Sequence, residues 1–453
     1  MRKSGTGGGT GGAKGLGGGD GPVRTLIDSY QGGRRYASQQ HVANTHRDNV
    51  GLDAIVGSLL EFPDDAERLA ESLRALALLA AERQVMPRSR MDGNWSVALR
   101  RAGGIESIVQ VLRRHANHSG VRIKGCMAIA HVAEASVRNQ KALGEAGAVE
   151  AVANALQNNP THSLRQTINC LSAMSSLAVD SKNNQVLMLQ AGVVDLLVAA
   201  IKDNQEHADV QARACLALSM LSADMDLPSE LLDQLSVSRE IVKLMQSSNL
   251  SSAMIKAGAI EAIARALKRH PTHAGVQTKG LMAIANLAYF GNTSDDFRNL
   301  GGLEILVEAL ESHPTHMGVQ NRACAAVANL VGMNAATRRA FIPLVPIILT
   351  AVVQTLEPIN FARRGREPNC LAAIANLASE DVQAQRAIEQ AGGLIVVSGA
   401  LRQYPKDEGV QVYGCQTLVN IVEAKDHKLL LAVRKATMPD LGHCFRPAPS
   451  IDP

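Results

Sequence analysis

Aromatic side chains are scarce in this chain. Phe, Trp and Tyr make up 3 % of its 453 residues, and Trp95 is the only tryptophan. Alanine, leucine and valine must then fill the core, which suits helix packed on helix. Long apolar runs are missing as well. The longest, FIPLVPIILTAVVQTL, has 16 residues and is interrupted by Pro343 and Pro346. That is short for a membrane span and reads as two buried helices. Charge of one sign is not in excess either. The formal net charge is +4, too little for coating nucleic acid, and basic stretches such as RRGRE carry few aromatic neighbours. No apolar stretch of signal-peptide length opens the chain. The expectation is an intracellular, cytoplasmic protein, with a cytoskeletal or ciliary setting as the alternative.

Catalytic signatures are absent too. GGTGGAKG near the N-terminus lacks the Lys-Ser/Thr ending of a phosphate-binding loop, and no strand precedes it. No Ser/His/Asp or Cys/His set assembles. The reading is therefore non-enzymatic, with no cofactor and no small-molecule substrate.

What is present is a repeat. The segments GCMAIAHVA, CLSAMSSLA, CLALSMLS, AIANLA, CAAVANLV, CLAAIANLA and GCQTLVNIV recur along the chain. A marker position near the end of each falls at His131, Ser175, Met220, Asn286, Asn329, Asn376 and Asn420, at spacings of 44, 45, 66, 43, 47 and 44. A fainter copy, SLRALALLA, places Leu78 in the same role. Each unit has a polar helix, an Ala-Gly turn (AGG, AGA or AGV) at Ala102, Ala146, Ala191 or Ala257, an apolar helix, a loop, and a last helix that in several units opens at GVQ. Val276, Leu281, Ile284 and Leu287 lie close to one face of such a last helix. Three helices in about 40–47 residues is the armadillo pattern.

AGAIEAIARALKRHPTHAGVQTKGLMAIANLA, with its glycine turn and Asn-bearing third helix, resembles the armadillo-repeat family over roughly residues 50–440. The HPxxxGVQ junction is similar to armadillo repeat-containing protein six and to the armadillo regions of leucine-rich-repeat kinases. The resemblance implies an all-α superhelical solenoid of eight or nine repeats over residues 50–439. The expected irregularities are at 221–256, which holds about half an extra repeat, and at 357–368, where EPINFARRGREP replaces the histidine loop. Residues 1–49, with eleven glycines in the first 21, read as a disordered basic tail. Residues 440–453 read as a flexible C-terminal tail.

The paired histidines of the loops, His115/His118, His270/His273 and His313/His316, have a metal-like spacing. A tight site needs four ligands, and neighbouring loops lie a repeat apart. They are better read as punctuation. His270 and His313 end the second helix and favour its dipole, Pro271 and Pro314 stop it, and Thr272 or Thr315 caps the next. Five cysteines, Cys126, Cys170, Cys215, Cys324 and Cys415, share one slot, with Cys370 one residue out of register and Leu281 in the slot of another repeat. The expectation is a small buried apolar position, unpaired, in a reducing compartment.

In the family, third helices line a concave groove, and Asn residues there hold an extended peptide's backbone. The resemblance assigns this role to Asn286, Asn329, Asn376 and Asn420, since an amide both donates and accepts. The competing reading is that they end their helices or bond the neighbouring repeat. Lys124, Arg213, Lys279 and Arg322 lie seven residues earlier, on the same side. The importin-type tryptophan row is replaced by Met127, Met282, Ala325, Ala372 and Gln416, which argues against nuclear-import cargo. The functional expectation is a scaffold holding an extended, acidic protein segment in the groove. An architectural component of a large assembly and a regulatory subunit of a separate enzyme are the alternatives.

Overall fold

The computed structural model describes residues 41–85, 93–159, 162–223, 254–290, 293–332, 334–356, 368–423 and 444. The described residues are helical and contain no strand. Third helices form the spine: α1 (Ala66–Val85), α2 (Ser119–Ala135), α3 (Leu164–Ala178), α4 (Ala208–Ser222), α5 (Ala274–Phe290), α6 (Met317–Gly332), α7 (Asn369–Ala378) and α8 (Glu408–Glu423). Each packs on the next, from α1 to α8, in one unbroken row. Of the expected tails, residues 1–40, 440–443 and 445–453 lie outside the described residues, as do most of 221–256 and 357–368, while residues 41–49 open a helix, His41–Glu61, and are not part of a tail. The row nevertheless runs directly from α4 to α5 and from α6 to α7, so third-helix stacking continues across both long intervals.

One repeat shows how sequence becomes structure. Asp381 caps the first helix, Val382–Gln390, by accepting from the backbone N–H groups of Gln383 and Ala384 at 3.0 and 3.1 Å. The chain then reverses at Gly392, whose φ of +79° is a left-handed conformation that side chains disfavour. The equivalent glycines 103, 147, 192, 258 and 301 do the same. The second helix, Gly393–Gln403, buries Leu394, Val397, Ala400 and Leu401. The FIPLVPIILTAVVQTL run forms a 3₁₀ turn, Ile342–Leu344, leading into one α-helix, Val345–Thr355, rather than two helices. No single described helix is long and apolar enough to cross a membrane.

The GVQ glutamine is a fastener that sequence reading passed over. Buried Gln277 donates from Nε2 to the Leu267 and His270 carbonyls at 2.9 and 3.0 Å. Gln320 does the same to Leu310 and His313, and Gln411 to Leu401 and Tyr404. Each ties the end of a second helix to the third and supplies donors to carbonyls the helix leaves open.

The cysteine expectation needs correcting. Disulfides join Cys126 to Cys170, Cys324 to Cys370 and Cys415 to Cys444, while Cys215 is free and buried. The error lay in equating the spacing of repeats with that of facing atoms. Packed helix axes are about 8–10 Å apart, but each Cα sits about 2.3 Å off its axis. Along the contact line Cα atoms therefore approach to roughly 4–5 Å. The observed Cα–Cα distances are 4.9 Å for Cys126–Cys170 and 4.7 Å for Cys324–Cys370. Register explains which cysteines pair. α3 ends in SSLA, so Ser176, and not Ser175, is in register with Asn376. Cys126 and Cys324 then lie five residues before their markers, and Cys170 and Cys370 six before theirs. Cys215 is a five-before cysteine whose next helix offers Gly280 at six-before, so it has no partner thiol. With these bonds, unpaired cysteines no longer support a reducing compartment.

Candidate functional site

One face of the third-helix row carries Asn286, Asn329, Asn376 and Asn420 with the residues seven before them, Lys279, Arg322, Asn369 and Tyr413, all half-buried or exposed. Asn286, Asn329, Asn376 and Asn420 are all half-buried there. Asn286 Nδ2 donates to the Ser219 carbonyl at 2.9 Å and Asn329 to Ala285 at 2.8 Å. Asn376 donates to Ala328 and Asn420 to Ala375, each at 2.9 Å. Every acceptor is the residue just before the marker of the preceding third helix. Ser219 and Ala375 fall in the last four residues of their helices, whose carbonyls lack a helical partner. Elsewhere a carbonyl's second lone pair serves. The bond from Asn286 skips the 66-residue interval and is the same bond seen between ordinary neighbours.

An amide has two N–H donors and a carbonyl. The inter-repeat bond uses one N–H and fixes how the amide is turned. At Asn420 the Oδ1 also accepts from Gln416 at 3.2 Å.

The basic residues are not equivalent. Lys279 and Arg322, on α5 and α6, are close enough to repel: burial, and then the Arg322 guanidinium, lower the Lys279 pKa. Burial lowers the Lys124 pKa too, but Glu71 opposes the effect while Arg74 and Arg165 add to it. Arg213 is exposed on α4. The structure thus brings Lys279 and Arg322 together, places Lys124 in a mixed-charge cluster, and leaves Arg213 to solvent.

The loop histidines divide into two jobs. His115, His270 and His313 donate from Nε2 to the carbonyls of Pro63, Gln205 and Pro271 in the preceding repeat, at 2.7, 2.7 and 2.8 Å. His118, His273 and His316 accept at Nδ1 from the backbone N–H of Val121, Val276 and Val319, at 3.3, 3.2 and 3.2 Å. The third helix is capped by histidine, and not by Thr272 or Thr315 as the sequence suggested. Among the described residues no three His, Cys, Asp or Glu side chains converge as a metal site.

The family model described as LRRK2 ARM repeat matches residues 47–342. The chain belongs to this armadillo-repeat family. Solved structures agree on the fold. An engineered protein is 23 % identical, with a TM-score of 0.53, over 86 % of this chain and 92 % of its own. A structure from work on a phosphorylation switch in the cadherin–beta-catenin interaction is 15 % identical, with a TM-score of 0.60, over 89 % of this chain and 66 % of its own. No curated protein matches the sequence significantly. The fold is one typical of protein-binding scaffolds and is generally non-enzymatic.

Proposed function

We propose that this armadillo solenoid is a scaffold without chemistry of its own, and that it holds an extended, acidic protein segment along the exposed face of its third helices. The observation that carries the reading is the juxtaposition of Lys279 and Arg322: burial first, and then the nearby Arg322 charge, hold the Lys279 pKa low. A carboxylate between them relieves their repulsion. Asn286 and Asn329, seven residues further along the same two helices, have amides already oriented by inter-repeat bonds. Each presents remaining hydrogen-bonding capacity to a peptide group. Asn376 and Asn420 extend the row toward the C-terminus, and Arg213 extends the basic stripe toward the N-terminus as far as Lys124, where Glu71 offsets the positive charge. A long shallow face suits a chain better than a metabolite.

The test is fluorescence anisotropy of an acidic peptide against the full chain, with salt titration. Each exposed ion pair contributes about 0–1 kcal/mol. Lys279→Glu with Arg322→Glu should weaken binding and flatten its salt dependence. Affinity unchanged by this double reversal at every salt concentration would move the binding role to another face, as in an architectural component.

A further inference from the structure

Toward the N-terminus the same row changes character. The markers there are His131, Ser176 and Met220, with no asparagine among them. Between α2, α3 and α4 lies a cleft of about 250 Å³, below the 300–1,000 Å³ usual for small-molecule sites. Its wall is apolar: Ala133, Val137, Val179, Leu216 and Met220. Val137 is 69 % exposed and Val179 40 % exposed, so the mouth of the cleft is apolar as well as its wall. Gln140, Ser175, Ser176, Glu134 and Asp180 complete the lining, and no basic side chain contributes to it.

Three backbone carbonyls beside the cleft already have a side-chain partner. Gln140 Nε2 donates to the Ser176 and Leu177 carbonyls at 2.8 and 3.2 Å, and to the Val179 carbonyl. Ser176 Oγ donates to Glu134 Oε1 at 2.9 Å. His131 faces Glu134 along the helix, 3.6 Å away. What remains for a ligand is an apolar hole of fixed shape with carboxylates at its edge.

We propose that this cleft seats one bulky apolar side chain of a protein partner, with an adjacent lysine or arginine of that partner against Glu134 or Asp180. Charge complementarity selects the occupant: an apolar anchor supplies burial, and the acidic rim selects its basic neighbour over an acidic one. This seat takes the opposite charge to the Lys279–Arg322 pair, and either can fail without the other.

The experiment is anisotropy of a fluorescein-labelled peptide, Gly-Ser-Gly-Arg-Leu-Arg-Gly-Ser-Gly, against the full-length chain. Two analogues replace its leucine with serine or both arginines with glutamate. The parent peptide should bind at least tenfold more tightly than either analogue. Val137→Asp places a carboxylate in the apolar wall at an exposed position, so the fold should melt unchanged while binding drops at least tenfold. Asp180→Asn keeps a residue tolerant of the positive φ there (48°) and should weaken binding about threefold. Lys279→Glu with Arg322→Glu should leave this peptide's affinity where it was or raise it. Equal binding of all three peptides, or indifference to Val137→Asp, overturns the proposal. So does a dimer in sedimentation that Val137→Asp dissolves, since the occupant is then a second copy of this chain.

Discussion

Asn329 donates its side-chain amide to the backbone carbonyl of Ala285 at 2.8 Å, 44 residues earlier in the chain. One residue type at one position thus links each third helix from α5 to α8 to the helix before it. The same bond survives the 66-residue interval between Met220 and Asn286, so the row keeps its registration where the sequence period fails.

This linkage sets a stability prediction. Asn329→Ala should cost about 0.5–1.5 kcal/mol, the net worth of one such hydrogen bond. Asn329→Asp should cost more, because a carboxylate cannot donate and points its charge at a carbonyl oxygen. Urea unfolding of the three chains gives the order. Equal stability of all three would mean that the bond contributes nothing in solution. Peptide binding separates the two roles of these residues: Asn286→Ala with Asn329→Ala should weaken the acidic peptide by roughly tenfold if the amides also serve the groove.

The cysteines set a second. Peptide mapping without reductant should recover Cys126 linked to Cys170 and Cys324 linked to Cys370. Cys215 should appear unlinked and resist alkylation in the folded protein, since burial pushes its thiol pKa up to about 12. Free, rapidly alkylated Cys126 and Cys170 in the folded chain would contradict the paired arrangement.

Much of this was legible beforehand, and what was not has identifiable physical reasons. The period, the glycine turns and the third helices follow from residues such as Gly192 and Leu281, whose local demands leave one solution. The Asn row was visible as a column, and a bond to the neighbouring repeat was one of the readings it allowed; the structure makes that bond, while a column of amides does not say which carbonyl each one meets. Pairing of Cys324 with Cys370 was hidden because a one-residue offset, about 100° around a helix, decides whether two side chains face each other. The cleft at Val137 and Val179 left no periodic signal. Both residues sit beside the turns between helices, where a repeat varies most freely.

Lys279 sets a pH-dependent prediction. Burial and Arg322 hold its pKa below the ordinary lysine value. In the intervening pH window the unfolded chain binds more protons than the folded one, so Lys279's contribution to stability rises as pH climbs through that window. Affinity for an acidic peptide should move the other way. It should begin to fall at a pH below the usual lysine range, as the ammonium is lost. Lys279→Arg keeps its charge through this range and should hold affinity flat. An identical decline in both chains would assign it to some other group.

The loop histidines allow the sharpest choice between structure and metal chemistry. His273 caps α5 by accepting from the Val276 N–H. The equivalent job at α8 belongs to Asp407, which accepts from the Val410 N–H at 3.0 Å, and at α3 to Ser163, which accepts from the Gln166 N–H at 3.4 Å. A position that accepts histidine, aspartate or serine is selected for a side-chain acceptor at a helix N-terminus, and serine and aspartate are strong caps in their own right. His273→Ala should therefore cost about 0.5–2 kcal/mol, while His273→Asp should recover most of that loss and gain from the helix dipole. Zinc should leave the melting temperature of all three chains unchanged. A zinc-dependent rise in melting temperature that requires both His270 and His273, and that His273→Asp abolishes, would overturn the capping assignment and make the pair a ligand set.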